Sequence, residues 1–454
     1  MKFLLNLTIA ISCCASPLAA FAQTPVLLRT FNNPTPEAAD YFGLGLAALG
    51  NDRVLISAPY DDTTATNAGA VYLFQTNGTL LTTITNPNPA FAFSYPEGQF
   101  GSAVAALGSD RVVIGSSVSQ KVYLFTTNGT LVTTLISPSI YDTAFGYAVA
   151  AFGSDRVLIG STSAYLGTDP DSDSMQGAAF LFGTNGATPQ KIFFNQNPWS
   201  VGLFGYSVGA FGSDRALVGS WTGDVFLFHT NGTLLTTFSA PGIYNQLGRQ
   251  VAAVGTDRVL VSSHATGALT EGVHLFNTNG TLLLTITNPT PATGDSFGHS
   301  IAVLGNDRLV IGAPGDDTTG TNSGAAYVFN LDGALLATIN NPAPGVWFGL
   351  RLAPFGDDCV LIGEAGQNGT GAAYLFRIPS APIPPSLTIQ RTTTNTVVVS
   401  WPSTAAGFVL QQNTEGLNSM NWSNVTTTPQ DNGTTKALIV SPTGGNRYYR
   451  LIRD

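Results

Sequence analysis

Residues 41 to 85 read YFGLGLAALGNDRVLISAPYDDTTATNAGAVYLFQTNGTLLTTIT, and the fold follows from how this stretch divides. After Phe42-Gly43 comes an alternating run that ends in the turn Gly50-Asn51-Asp52, then a β-rich run from Arg53 to Ser57. A longer polar connection leads to Gly69-Ala70-Val71-Tyr72-Leu73-Phe74, the turn Asn77-Gly78, and a last run from Thr79 to Ile84. Short runs of strand-forming residues between Gly, Asn and Asp clusters read as strands, because those turn residues accept backbone angles that other side chains resist. Asn-Gly between two such runs predicts a type I′ hairpin. The stretch is therefore four short strands.

The same unit recurs. Phe-Gly pairs stand at Phe42-Gly43, Phe100-Gly101, Phe145-Gly146, Phe204-Gly205, Phe297-Gly298 and Phe348-Gly349, with Leu247-Gly248 as a degenerate seventh, and successive starts lie 43 to 59 residues apart. Four strands per unit at this period fit the blades of a β-propeller. Spacing within the units is uneven in an informative way. From the Phe or Leu to the turn Asp is ten residues in all seven units, and from the third-strand Phe to the next turn is three in six units. Turn Asp to third-strand Phe, by contrast, runs from 14 residues (Asp214 to Phe228) to 27 (Asp155 to Phe182). In an up-and-down blade, alternate connections share a face, so the chain builds one uniform face and one variable face, and variable loops on a rigid scaffold usually carry function. The seventh unit stops at Gly371 to Arg377 without its outer strand, while Val26 to Phe31 followed by Asn32-Asn33-Pro34 matches an outer strand and its exit. The reading is an all-β chain: a seven-bladed β-propeller over residues 23 to 377, closed by its own N-terminal strand, then a small β-sandwich.

Composition bounds the partners. Only 10% of the 454 residues are charged, against roughly 25% in an average soluble domain. With 50 Gly, 26 Pro and 27 Phe the chain has the turns and the apolar mass of a folded β protein. Its net charge is −9 and its 18 basic residues are scattered, which argues against nucleic acid as a partner. Residues 1 to 22 read as an export signal, with Lys2, an apolar run from Phe3 to Ala15, and small residues at Ala20 and Ala22. The alternative is lipidation at Cys13. No later run holds 18 apolar residues, so no transmembrane segment is expected. Once the leader is removed Cys359 stands alone, and no disulfide framework can form within the chain.

The repeats resemble the FG-GAP units of the integrin α-chain propeller family, carried by Phe42-Gly43 with Ile56-Ser57-Ala58-Pro59 and by Phe297-Gly298 with Ile311-Gly312-Ala313-Pro314. The resemblance implies a propeller and an adhesive or ligand-binding role. It also implies calcium in an Asp-rich loop between the Phe-Gly strand and the next, but this chain has only Gly50-Asn51-Asp52-Arg53 and its equivalents there. Beyond a Pro-rich linker at 378 to 386, residues 387 to 454 carry period-two runs, and Trp401-Pro402 with Tyr448-Tyr449-Arg450-Leu451 resemble a fibronectin type III module.

Two groups of side chains on the variable face are candidate sites. Aromatic residues in its loops, Tyr60, Tyr165, Trp199, Trp221, Tyr244 and Trp347, can stack on sugar rings or anchor a peptide, or plug gaps between blades. Acidic residues at Asp61-Asp62, Asp316-Asp317 and in the alternation Asp169, Asp171, Asp173 are candidates for calcium, or bond their own backbone in turns. The Arg after six of the seven turn Asp residues, from Arg53 to Arg308 with Cys359 at the seventh, reads as pairing between blades. No catalytic motif is present, and no cofactor is required. The expected function is non-enzymatic recognition of an extracellular glycan or protein at the cell surface or in the medium. The alternatives are a polysaccharide-active enzyme using Asp62, Glu97 or Asp317, and a structural matrix component.

Overall fold

In the computed structural model, residues 41 to 85 form the four strands their sequence predicts. The structure describes residues 24–89, 99–139, 142–164, 177–186, 188–195, 203–221, 223–239, 247–263, 272–343, 345–366, 369–379, 387–393, 396–403, 408–416, 421–440 and 447–453. The leader, most of the linker, and Glu97, Tyr165, Asp169, Asp171, Asp173, Trp199 and Tyr244 lie outside them. The chain divides into two compact units, the larger being Ala22–Pro379.

Strand β1 is Val26–Asn32, and the first sheet is β2 (Leu46–Leu49), β3 (Arg53–Ala58), β4 (Ala70–Gln75) and β5 (Leu80–Thr85), in that order and antiparallel. Among the described residues the larger unit holds seven such four-stranded sheets and no helix. The first strand of each sheet packs against the first strands of the sheets on either side, and Phe348–Phe355 of the seventh packs against β2. The seventh sheet takes its outer strand from the other end of the unit: β1 pairs with Ala372–Arg377, from Val26 opposite Arg377 to Asn32 opposite Ala372. This is the pairing that the orphan strand at residues 26 to 31 predicts.

Strand alternation explains why the middle strands are apolar throughout. In β3, Leu55 faces the second sheet, where it joins Leu49, Val71, Phe100, Val112 and Ile114. Its neighbours Val54 and Ile56 face the seventh sheet, with Phe31, Phe42, Leu361 and Leu375. A strand buried on both faces reads as a continuous hydrophobic run. Each such side chain contributes about 1.5–3 kcal/mol on burial. The same two-sided burial holds Cys359, whose thiol is pushed up to about 12 by burial and by the neighbouring Asp358.

One expectation is corrected at the uniform turns. A type I′ hairpin needs positive φ at both central residues, yet only Gly78 (φ 95°) has it, and Asn77 does not. Gly78 N donates to Gln75 O at 2.9 Å and the register shifts between Leu73 and Phe74. The hairpin is a type I turn followed by a glycine bulge, and the same shift recurs before the turns at Asn128, Asn231, Asn279 and Asp332. The Asn is chosen for its side chain: Asn77 Oδ1 accepts from Thr79 N at 2.9 Å. At the neighbouring turns Arg53, Arg111, Arg156 and Arg215 each donate from Nη2 to a carbonyl of the next sheet (Ser109, Ser154, Ser213 and Thr256), at 2.7, 2.7, 2.8 and 3.2 Å. These arginines therefore stitch neighbouring sheets, as their place in the repeat suggests.

The smaller unit, which includes Ser380–Asp454, contains two sheets. One is Thr388–Arg391, Val397–Pro402, Thr435–Val440 and Gln430–Asp431, the other Ser423–Asn424, Phe408–Asn413 and Tyr448–Arg453. Val399, Trp401, Leu410 and Leu438 form its core, with Tyr449 and Leu451 against them. The two-residue strands at 423–424 and 430–431 are too short to show period-two patterning, so they are not legible in the sequence.

Candidate functional site

The Phe-Gly pair is the middle of a tight turn. Leu44 N donates to Tyr41 O at 3.1 Å, and the same bond recurs from Ser102 to Gln99, Tyr147 to Ala144, Tyr206 to Leu203, His299 to Ser296 and Leu350 to Trp347. Within each turn the Phe is fully buried between sheets, as at Phe42, Phe145 and Phe204. The Gly must be glycine: Gly205 has φ 86°, and a Cβ there would lie 2.4 Å from the Ala178 carbonyl oxygen. Tyr41, Leu203, Ser296 and Trp347, the residues ahead of the pair, hold φ between 48° and 68° without that freedom. Strain of this kind costs of order 1–3 kcal/mol per residue and persists only where its surroundings impose it.

The residue after the pair is where the seven units differ. It is Leu44, Ser102, Tyr147, Tyr206, Arg249, His299 and Leu350 in turn, and all seven line two confluent cavities. One, of about 190 Å³, runs among the first strands of the sheets. The other, of about 710 Å³, opens among the variable connections and shares Leu44, Tyr147, Arg249, His299 and Arg351 with it. Cavities of this size fit a small ligand or a short segment of a larger one. A column that varies directly after an invariant Gly was the available signal, but it points to a site only once the seven units face one axis.

Aromatic rings and cations stand among small and aliphatic residues in the lining. Tyr147 and Tyr206 lie 5.0 Å apart between ring centroids, Tyr206 and Trp221 4.6 Å, and the Arg249 guanidinium sits 5.5 Å over the Trp221 ring. Across the mouth, the Leu350 carbonyl accepts from Arg351 Nη1 and from His299 Nδ1, each at 3.1 Å. Of the predicted aromatics, Trp347 lines the cavity directly. Trp221 backs it through Tyr206. Tyr60 packs edge-on to Tyr41 at 5.3 Å, behind the wall.

Of the described acidic candidates, the Asp316-Asp317 loop borders this mouth through Gly315 and Asn322, and Asp61-Asp62 occupies the equivalent loop of the first sheet. Asp61 is buried, accepting from Tyr72 OH, from Thr35 Oγ1 at 2.7 Å and from Thr63 N at 2.8 Å. Asp316 repeats the arrangement with Tyr327, Thr290 and Thr318 N. Burial would raise the Asp316 carboxyl, but donation from Tyr327, Thr318 and Thr290 outweighs it and leaves it below its ordinary range. In front of each stands a second carboxyl. Burial pushes Asp40 up to about 6, with the charge of Asp61 adding to it, and raises Asp295 likewise. Asp62 and Asp317 accept from the amides of Asn67 and Asn322 and so close the loops behind them. Asn322 O in turn accepts from Trp347 N at 2.8 Å, which ties the Asp317 loop to the cavity wall.

Where the resemblance would place calcium, the chain has a tight turn. The turn at Gly50–Arg53 offers one carboxylate, Asp52, which lies 3.4 Å from Arg53 Nε. A calcium ion takes six to eight oxygens. Among the described residues no group of three or more His, Cys, Asp or Glu converges as a metal site.

Residues 36–74 and 285–329 match the FG-GAP repeat family, and these are the two units that carry the Asp61 and Asp316 clusters. No curated protein matches the chain. Among solved structures, Raptor from Chaetomium thermophilum is similar at 11% identity with a TM-score of 0.53, over 79% of this chain and 30% of that one. The C-terminal WD40 domain of Sif2 is similar at 12% identity and a TM-score of 0.48, over 79% of this chain and all of that one. The chain spans less than a third of the Raptor length. The larger unit thus has a β-propeller fold, and two of its stretches match the FG-GAP repeat.

Proposed function

We propose that this chain is an exported, non-enzymatic β-propeller that recognises an extracellular glycan or protein through its variable face, with the ligand seated in the cavity at the axial mouth. The observation that supports this reading is the position after each Phe-Gly pair. Six units fix the backbone of that turn in the same way, yet the residues it presents to the axis are of four kinds, Leu, Ser, Tyr and His. Selection for packing alone would favour one residue type there. A rigid wall of side chains loses little entropy on binding, which suits recognition. In this reading residues 1 to 22 direct export, and the C-terminal sandwich, of fibronectin type III character, spaces or attaches the propeller.

Printed glycan and extracellular-protein arrays probed with the purified full chain test the proposal. Saturable binding that Tyr147→Ala and Trp347→Ala abolish, with unchanged melting, is the expected result. Turnover of a bound polymer in a reducing-end assay would show an enzyme instead, and binding indifferent to both substitutions would move the site elsewhere.

A further inference from the structure

We infer that the ligand of this cavity is an acidic sugar, its carboxylate taken by Arg351 and its ring lying against the aromatic wall; the inference rests on the recognition reading above. Charge is the first ground. The chain carries 27 acidic residues to 18 basic, yet among the described residues that line the mouth the charged side chains are Arg249 and Arg351, and none is acidic. Neither belongs to the arginine column that stitches the sheets at the uniform turns. Arg249 directly follows the Leu247-Gly248 pair, and Arg351 lies two residues after Phe348-Gly349 on the first strand of its sheet.

The second ground is how the two are held. Arg249 has its guanidinium over the Trp221 ring, which places a second cation in the same lining. Arg351 uses Nη1 on the Leu350 carbonyl, 3.4 Å from His299 Nδ1; among the described residues Nε and Nη2 make no hydrogen bond. A guanidinium fork with two free donors matches a carboxylate in bidentate geometry, where a lysine would offer only a point charge.

The third ground separates a sugar from an acidic peptide. Peptides that bind by main-chain pairing need free backbone donors and acceptors. Here the turns that wall the mouth bond their own backbone, Leu44 N to Tyr41 O, His299 N to Ser296 O and Leu350 N to Trp347 O. The side chains that line the mouth include the aromatic rings Tyr147 and Trp347 and the unengaged fork of Arg351. A pyranose with a carboxyl group presents the complementary pair, an apolar ring face and a planar anion.

Isothermal titration of the full chain with uronate oligosaccharides, their methyl esters, neutral glucan oligosaccharides, sulfated oligosaccharides and a poly-glutamate peptide decides the matter. The expected result is binding to uronates that weakens about tenfold or more on methyl esterification and on Arg351→Gln, since a charged hydrogen-bonded pair is lost. Arg351→Lys should recover only part of it. Thermal melts of each variant check folding, and Trp347→Ala, which leaves the charge in place, should weaken uronates and neutral glucans alike. Equal binding of neutral and acidic glucans, or of uronates by the Arg351→Gln variant, overturns the acidic class while leaving recognition intact. Preference for the sulfated sugars or for the peptide also overturns it. No binding to any of these, with array binding to another ligand, overturns it as well. No binding to any ligand removes both readings.

Discussion

The two ends of the propeller solve one problem in opposite ways. At the uniform end the repeat conserves side chains: the turn Asp, the Arg that reaches the next sheet, and the Asn-Gly pair whose Oδ1 caps its own hairpin. At the variable end it conserves backbone: a hydrogen-bonded turn with a buried Phe and a left-handed Gly, while the outer positions change freely. Conserved contacts make one end structural, and a conserved backbone with free side chains makes the other a surface for chemistry. Substitutions at the two ends should therefore separate stability from binding.

The largest effect belongs to the Phe of the turn, which serves both ends. Phe204→Ala empties a site fully buried against Phe226, Phe228 and Val218, and should cost about 3–5 kcal/mol in chemical denaturation. A loss below about 1 kcal/mol would mean that the turn is not anchored between sheets.

His274 gives the next largest effect. It occupies the third-strand position that holds Tyr72, Tyr123, Tyr327 and Tyr374 in other units, buried between Ser263 Oγ and Thr285 Oγ1, each at 3.1 Å. Burial lowers it from 6.5 to about 4. Between those values the unfolded chain binds a proton that the folded chain does not, so its contribution is complete above pH 6.5 and is lost as pH falls toward 4. The stability difference between the parent and His274→Gln should shrink by about 2–3 kcal/mol from pH 7 to pH 4.5. Taking the difference removes Asp40, whose raised carboxyl acts in the opposite sense over the same range. A pH-independent difference would show that the imidazole reaches solvent.

Smallest of all should be the stability cost of single side chains at either rim. Arg111→Gln loses the bond to the Ser154 carbonyl and should cost about 1 kcal/mol or less in melting, with ligand binding untouched. Tyr147→Ala should cost no more than Arg111→Gln in stability and should remove binding. If the two variants exchange these effects, the assignment of the ends is inverted.

Much of this molecule is legible in the sequence because it is repeated. Strand limits, the missing outer strand, its replacement by Val26 to Phe31, and the role of the Arg column all follow from comparing the chain with itself. The type I′ turn was misread because Asn-Gly also suits a type I turn with a glycine bulge, and only backbone angles tell them apart. Trp347 was legible as a loop aromatic. Arg249, His299 and Arg351 were not, because they lie some 50 residues apart and become one site only through the arrangement of sheets. The burial of Asp61 under Tyr72 was hidden for the same reason: the two are eleven residues apart on different segments, and only the fold brings them together.

Everything at the axial mouth depends on the sheets being held in sequence by β1, whose partner lies some 350 residues away. A cross-linking experiment addresses this directly: Val26→Cys with Arg377→Cys, in a Cys359→Ser background, oxidised at low protein concentration and mapped by mass spectrometry. An intramolecular disulfide between positions 26 and 377 in nearly all molecules, with a raised melting temperature, is the predicted result. Thiols that stay reduced, or that join only between molecules, would contradict the pairing and the site built on it.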